Sequence, residues 1–228
     1  MKMQIVALGV LAAAGAAYGS NNITTAYSFS FEGAVNATTP FTGPASFDTG
    51  RLNGDRLDLP PGLGVDTTIP DLFTAFCVEI GVPIQNPGAH KVFPLLGSVT
   101  DPTGGVGPAV LWDPVRTQRA SRLWGGFIGS VNSIDSAGAF QLALWDITYD
   151  IDMDLSAGPF FVGLGQFQPG VTDLAQSWLN IVNSAAILPE PELFLLSGPD
   201  NQDVITTPAP GTLALLGLSG LVAGRRRR

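Results

Sequence analysis

Residues 113–149 read DPVRTQRASRLWGGFIGSVNSIDSAGAFQLALWDITY, and this stretch decides the fold class. Asp113 offers a side-chain acceptor and Pro114 a preset φ, the pair expected where a helix starts. Behind them Val115, Ala120, Leu123, Trp124 and Phe127 recur near one face, with Arg116, Arg119 and Arg122 elsewhere. The spacing predicts an amphipathic helix, broken at Gly125-Gly126. Asp135 or Ser136 is placed to cap a second helix over 137–149.

Outward from this block the periodicity changes. Residues 25–35 (TAYSFSFEGAV) alternate aromatic with small or polar side chains, and 44–49 and 72–80 also read as strands. Residues 98–108 are rich in Gly and Pro and read as a loop. A third helix is expected from Thr172, carrying Leu174, Trp178, Ile181 and Val182, and 192–196 and 203–206 return to strand. The sum is α+β: one strand-rich domain with a central block of about three helices. The roughly 190 residues between the two ends of the chain are enough for one core.

Two polar positions stand out in this framework. Cys77 is the single cysteine and lies in Phe76-Cys77-Val78-Glu79. Having no cysteine partner in the chain, it is either a small buried hydrophobe, an intermolecular partner or a reactive group. Gln141 lies on the second predicted helix between Phe140 and Leu142, on one face with Trp145 four residues later. An amide in such apolar company needs a hydrogen-bond partner, for which a backbone carbonyl or water suffices.

These two segments, FCVE at 76–79 and FQLALW at 140–145, resemble the thioester domains of bacterial surface adhesins, over roughly residues 73–150. The resemblance implies that Cys77 supplies the sulfur and Gln141 the acyl carbon of an internal thioester, with Glu79 and Trp145 as accompanying motif positions. Such a bond forms when a thiolate displaces ammonia from the carboxamide. It persists while dry, then transfers to an amine or hydroxyl on a target, leaving Gln141 joined to that target and Cys77 free. This is a single-use cross-link, so no enzyme is expected, and no cofactor. A merely buried Cys77 implies instead a non-covalent structural component of a matrix or biofilm. A cysteine hydrolase is the third reading. It needs a base, and His90, the one histidine, reads as a solvated loop residue beyond Pro83, Pro87 and Gly88.

The ends of the chain speak of location. Lys2, an apolar run from Ile5 to Ala17, and small residues at Ala17 and Gly19 before Ser20 predict a signal peptide over 1–19 removed by signal peptidase. At the other end, residues 208–228 read PAPGTLALLGLSGLVAGRRRR. The apolar run rises only about 20 Å as a helix, short for a hydrocarbon core of about 30 Å. Arg225, Arg226, Arg227 and Arg228 favour the cytoplasmic side and place the domain outside. The segment resembles the PEP-CTERM sorting signal of Gram-negative bacteria, with Pro208 and Pro210 at the motif's prolines and Ala209 where the family usually has Glu. The resemblance implies transient anchoring in the inner membrane and removal of the tail by an exosortase. Residues 20–207 are then the exported domain, at the cell surface or in the extracellular space. The literal Pro189-Glu190-Pro191 is followed by no apolar helix and basic tail and reads as a loop.

Charge and composition exclude further classes. Without Lys2 and the four terminal arginines, six basic residues face 19 acidic ones. Nucleic-acid binding, which needs basic phosphate contacts, is not expected. Asp150, Asp152 and Asp154 alternate as calcium ligands do, but without the glycine turn and distal glutamate of an EF-hand loop, and read as a solvated turn. One histidine and one cysteine argue against a transition-metal site. No phosphate-binding or dinucleotide fingerprint is present.

Overall fold

A computed structural model describes residues 24–37, 47–57, 69–85, 87–101, 107–162, 169–184, 186–198 and 201–208. The predicted leader, Pro210 and the terminal arginines lie outside the described residues, as do residues 44–46 of the second expected strand. In chain order the strands are β1 (Thr24–Ala37), β2 (Phe47–Arg56), β3 (Leu72–Cys77), β4 (Gly88–Pro94), β5 (Val99–Thr100) and β6 (Val110–Leu111). Then follow α1 (Pro114–Phe127), α2 (Ile134–Tyr149) and α3 (Pro169–Asn183), and last β7 (Phe194–Gly198) and β8 (Asn201–Thr206). The fold is a single α+β domain.

Six strands close an antiparallel barrel in the order β1-β2-β3-β8-β7-β4, while β5 and β6 pair separately. Strand alternation divides the apolar residues between two cores. Phe73, Ala75 and Cys77 of β3 join Leu52, Val92, Phe194, Leu196 and Val204 in one. Phe76, Val78, Leu195 and Ile205 join the helices in the other. Helices have no room inside six strands, so the first set lines the lumen and the second the outer wall.

The helices follow local rules with three corrections to the expected boundaries. Asp113 caps α1, accepting from the N–H groups of Val115 and Arg116 at 2.9 Å. α1 then runs unbroken through Gly125-Gly126. A Cβ on Gly125 would lie 2.2 Å from the Pro189 carbonyl oxygen, so here glycine permits the close approach of residues 188–189 rather than ending the helix. Val115 is exposed, whereas Ala120, Leu123 and Trp124 are buried. The cap of α2 is Ser133, in a capping box with Ser136, and not Asp135 or Ser136. α3 begins at Pro169, ahead of Thr172. Every residue of α2 from Ser136 to Tyr149 is buried, so this helix is the centre of the outer core.

Two stretches expected as loop contain strand. β4 carries His90 and Val92 buried on one face, and its alternation is hidden in the sequence because a histidine stands at a core position. β5 opens residues 98–108 by pairing with β6. Among the described residues no helix is long and apolar enough to cross a membrane.

Candidate functional site

The site begins where β3 loses one neighbour. β2 pairs with β3 no further along than Leu52 opposite Ala75, whereas β8 continues to Val204 opposite Cys77. The Val78 N–H donates to the Asp203 carbonyl on the β8 side at 3.0 Å. Alternation then turns the N–H and C=O of Cys77 toward the side β2 has vacated. Gln141 fills that place. The Cys77 N–H donates to Gln141 Oε1 at 3.1 Å, and Gln141 Nε2 donates to the Cys77 carbonyl at 2.6 Å. A helix side chain thus completes the ladder, and both residues are buried.

The residues immediately before Cys77 and Gln141 fix this register. The rings of Phe76 and Phe140 are 4.5 Å apart. Trp124 meets both edge-on, at 5.8 and 5.7 Å, and Trp178 meets Phe140 at 6.2 Å. Each such aromatic pair is worth about 0.5–1.5 kcal/mol beyond its buried area.

Electrostatics keep the sulfur protonated. Burial, and after it the Glu79 carboxylate, hold the Cys77 thiol well above its ordinary pKa. Glu79 Oε2 accepts the Asp203 N–H at 2.7 Å, and the Glu79 carbonyl accepts from Gln202 Nε2 at 2.9 Å. Burial raises the carboxyls of Glu79 and Asp203 far above the usual carboxylate range, and for Glu79 the charge of Asp203 adds to this. Tyr149 closes the cluster, its hydroxyl accepting the Ile80 N–H at 3.3 Å.

Trp145 is buried, edge-on to Phe160 at 6.4 Å, and its indole N–H meets no acceptor among the described residues. His90 is a buried residue of β4 and not a solvated loop residue. Its ring nitrogens lie 3.3 Å from the carbonyls of Gly88 and Gln202, and burial pushes its pKa down. Asp150 accepts from the N–H groups of Ile151, Asp152 and Phe160, Asp152 from Asp154, and Asp154 from Ser156. These carboxylates cap their own loop. Among the described residues no three His, Cys, Asp or Glu side chains converge to hold a metal. Pro208 follows β8 at the end of the described residues.

Two buried acids escaped the sequence reading. Asp203 stands where a strand was expected to start, and only its place opposite Glu79 gives it meaning. Asp146 follows Trp145 on α2, fully buried, with neither carboxyl oxygen partnered among the described residues. Burial first, then the charges of Asp150, Asp152 and Asp154, push its pKa up to about 8.

No protein-family model and no curated protein matches the chain. Among solved structures it is similar to the N-terminal thioester domain of a surface protein from Clostridium perfringens, at 14% identity and a TM-score of 0.38, over 70% of this chain and 87% of that one. It is also similar to two structures of a pilus-presented adhesin, each at 11% identity and a TM-score of 0.31 and over 80% of this chain. One is a cysteine-to-alanine mutant, of which 62% is covered, and of the other 86% is covered. These scores are low, and the function below rests on the geometry of Cys77 and Gln141.

Proposed function

We propose that this protein is an exported surface module that attaches covalently to its target through a thioester between Cys77 Sγ and Gln141 Cδ. One observation carries the proposal. A buried glutamine, 64 residues from the single cysteine, has its carboxamide seated on that cysteine's own N–H and C=O. The resting pair has the parts the bond needs: a sulfur, a carboxamide, and a closed setting that slows hydrolysis. When the bond forms, S–H and C–N bonds are exchanged for S–C and N–H, and ammonia leaves. An amine or hydroxyl on the target then attacks the acyl carbon and releases the thiol. The module acts once and is not an enzyme. It uses no metal or cofactor.

The terminal sequences fit this role. A leader over 1–19 directs export, and the segment 208–228 is the sorting signal that an exosortase-type enzyme removes after transient anchoring in the inner membrane. The domain left outside is acidic, which favours solubility and disfavours nucleic acid.

A second reading has one observation in its favour. The two hydrogen bonds to Cys77 already satisfy the Gln141 amide, which is what a purely structural glutamine needs. The protein is then a non-covalent matrix component. Intact mass separates the two. The thioester predicts a chain lighter by one ammonia, about 17 Da. It also predicts an adduct at Gln141 with methylamine and a thiol released in the same step. Cys77→Ala and Gln141→Ala each abolish deficit and adduct. Full mass and no adduct in freshly purified, unheated protein selects the matrix component.

A further inference from the structure

Glu79 and Asp203 are each 2% exposed and joined by the 2.7 Å bond from the Asp203 N–H. The Ser197 hydroxyl and the Gly198 N–H donate to the Asp203 carboxylate. The other groups facing the pair are Asp101 after β5, Tyr149 at the end of α2, and the Cys77 thiol; none is a cation. His90 on β4, which meets the neighbouring Gln202 carbonyl, is held neutral by burial. Two carboxyls buried together with no compensating cation among the described residues do not both ionise, so the pair retains a proton near neutrality.

Closing a thioester at this place needs a proton moved twice. The buried thiol has to lose one before its sulfur attacks, because the thiolate is the nucleophile. The amide nitrogen has to gain one before it leaves as ammonia. Water is excluded from both tasks by the burial of Cys77, Gln141 and Glu79.

Resting on the Cys77–Gln141 thioester, we infer that Glu79 and Asp203 form its proton relay, with Glu79 carrying the proton and Asp203 acting as a positioning residue that sets Glu79's charge. The Glu79 carboxylate takes the thiol proton as the Sγ–Cδ bond forms. It returns a proton to Nε2 as the Cδ–Nε2 bond breaks. Ammonia departs, Glu79 ends as it began, and nothing is oxidised or reduced. Closure is then slow in acid, where Glu79 is protonated and cannot take the thiol proton, and rises to a plateau as Glu79 ionises.

The test opens the thioester of the purified chain with ammonia, which restores Gln141 and the thiol. Ammonia is then removed, and the return of the deficit of about 17 Da is followed against pH. The wild-type rate should rise with pH and level off as Glu79 ionises. Glu79→Gln should slow closure by about a hundredfold or more, the usual scale of general acid–base catalysis. Asp203→Asn removes a like charge from Glu79 and makes it a weaker base, so closure should slow by about tenfold and its rise with pH should move to lower pH. Ser197→Ala removes a donor that favours the ionised Asp203 and so lessens the charge beside Glu79, and its rise should likewise move to lower pH. Where Asp203→Asn fails to fold, Ser197→Ala decides alone. Wild-type rate and an unmoved profile in these variants overturn the relay. Full mass in the wild type at every pH overturns the thioester, and the relay with it.

Discussion

Gln141 and Asp146 lie five residues apart on the same buried helix, and their surroundings answer them in opposite ways. Gln141 points to the seam beside β3 and has its amide matched on both sides by the Cys77 backbone. Asp146 lies toward the acidic loop after α2 and finds no partner for either oxygen among the described residues. One polar group is buried at little cost because its hydrogen bonds are remade. The other is tolerated in its neutral form, held there by burial and by nearby negative charge. A polar residue in an apolar helix is therefore no signal by itself. What separates a candidate site from a protonated acid is whether another chain segment has been shaped to meet it.

The strongest way to break this contrast is to unseat the Gln141 side. Phe140→Ala removes the ring that stacks on Phe76 and contacts Trp124 and Trp178, and should cost about 3–5 kcal/mol in denaturant unfolding. A loss below about 1 kcal/mol would mean that the seam is not held by these rings. The next effect isolates the amide. In a Cys77→Ala background no thioester exists, yet the backbone bonds to Gln141 remain. There Gln141→Ala should cost about 1–3 kcal/mol, because it orphans a buried N–H and C=O.

The smallest effect belongs to Asp146 and sharpens the comparison through pH. In the unfolded chain Asp146 titrates near 3.9, whereas the fold holds its proton up to about 8. Between those values the folded state keeps a proton that the unfolded state has released, so stability falls as pH rises through this window. Glu79 and Asp203, raised in the same direction, contribute with the same sign. His90, whose pKa is lowered, acts oppositely and only in acid, so pH 6.5 to 8 reads the carboxyls. Over that range thermal unfolding should shift downward in the wild type. Asp146→Asn should recover about 1 kcal/mol of the loss while changing stability little at pH 6.5. Parallel wild-type and variant curves would refute the assignment of a buried, protonated Asp146.

The helical block was legible in the sequence because its signals are local: Asp113-Pro114, a 3.6-residue period, a buried run after residue 136. FCVE and FQLALW also stood out as motifs, although nothing in their spacing shows that the pairing of β2 with β3 stops two residues short of Cys77 and leaves room for a side chain. β4 was hidden by His90, whose polarity masks a core position until burial is known. Gly125-Gly126 read as a break because the sequence shows the missing Cβ atoms but not Pro189 lying against them. Ser133 was passed over for Asp135 or Ser136 as the expected cap because all three are good cappers and only backbone geometry chooses among them. Asp203 was invisible as part of a site, since its partner Glu79 is 124 residues away. In every case but the cap the missing information was tertiary.

The strand order of the barrel has a consequence for the life of the nascent chain. β3 pairs on one side with β2, its neighbour in sequence, and on the other with β8, the last strand described. Pairings of such long separation form late, after the intervening chain has been brought together. Until residues 201–206 arrive, the wall around Cys77 is open and its thiol meets solvent. The chain therefore emerges with its one sulfur uncovered and seals it when β8 arrives. Having no second cysteine, it has no wrong disulfide of its own to make while it waits.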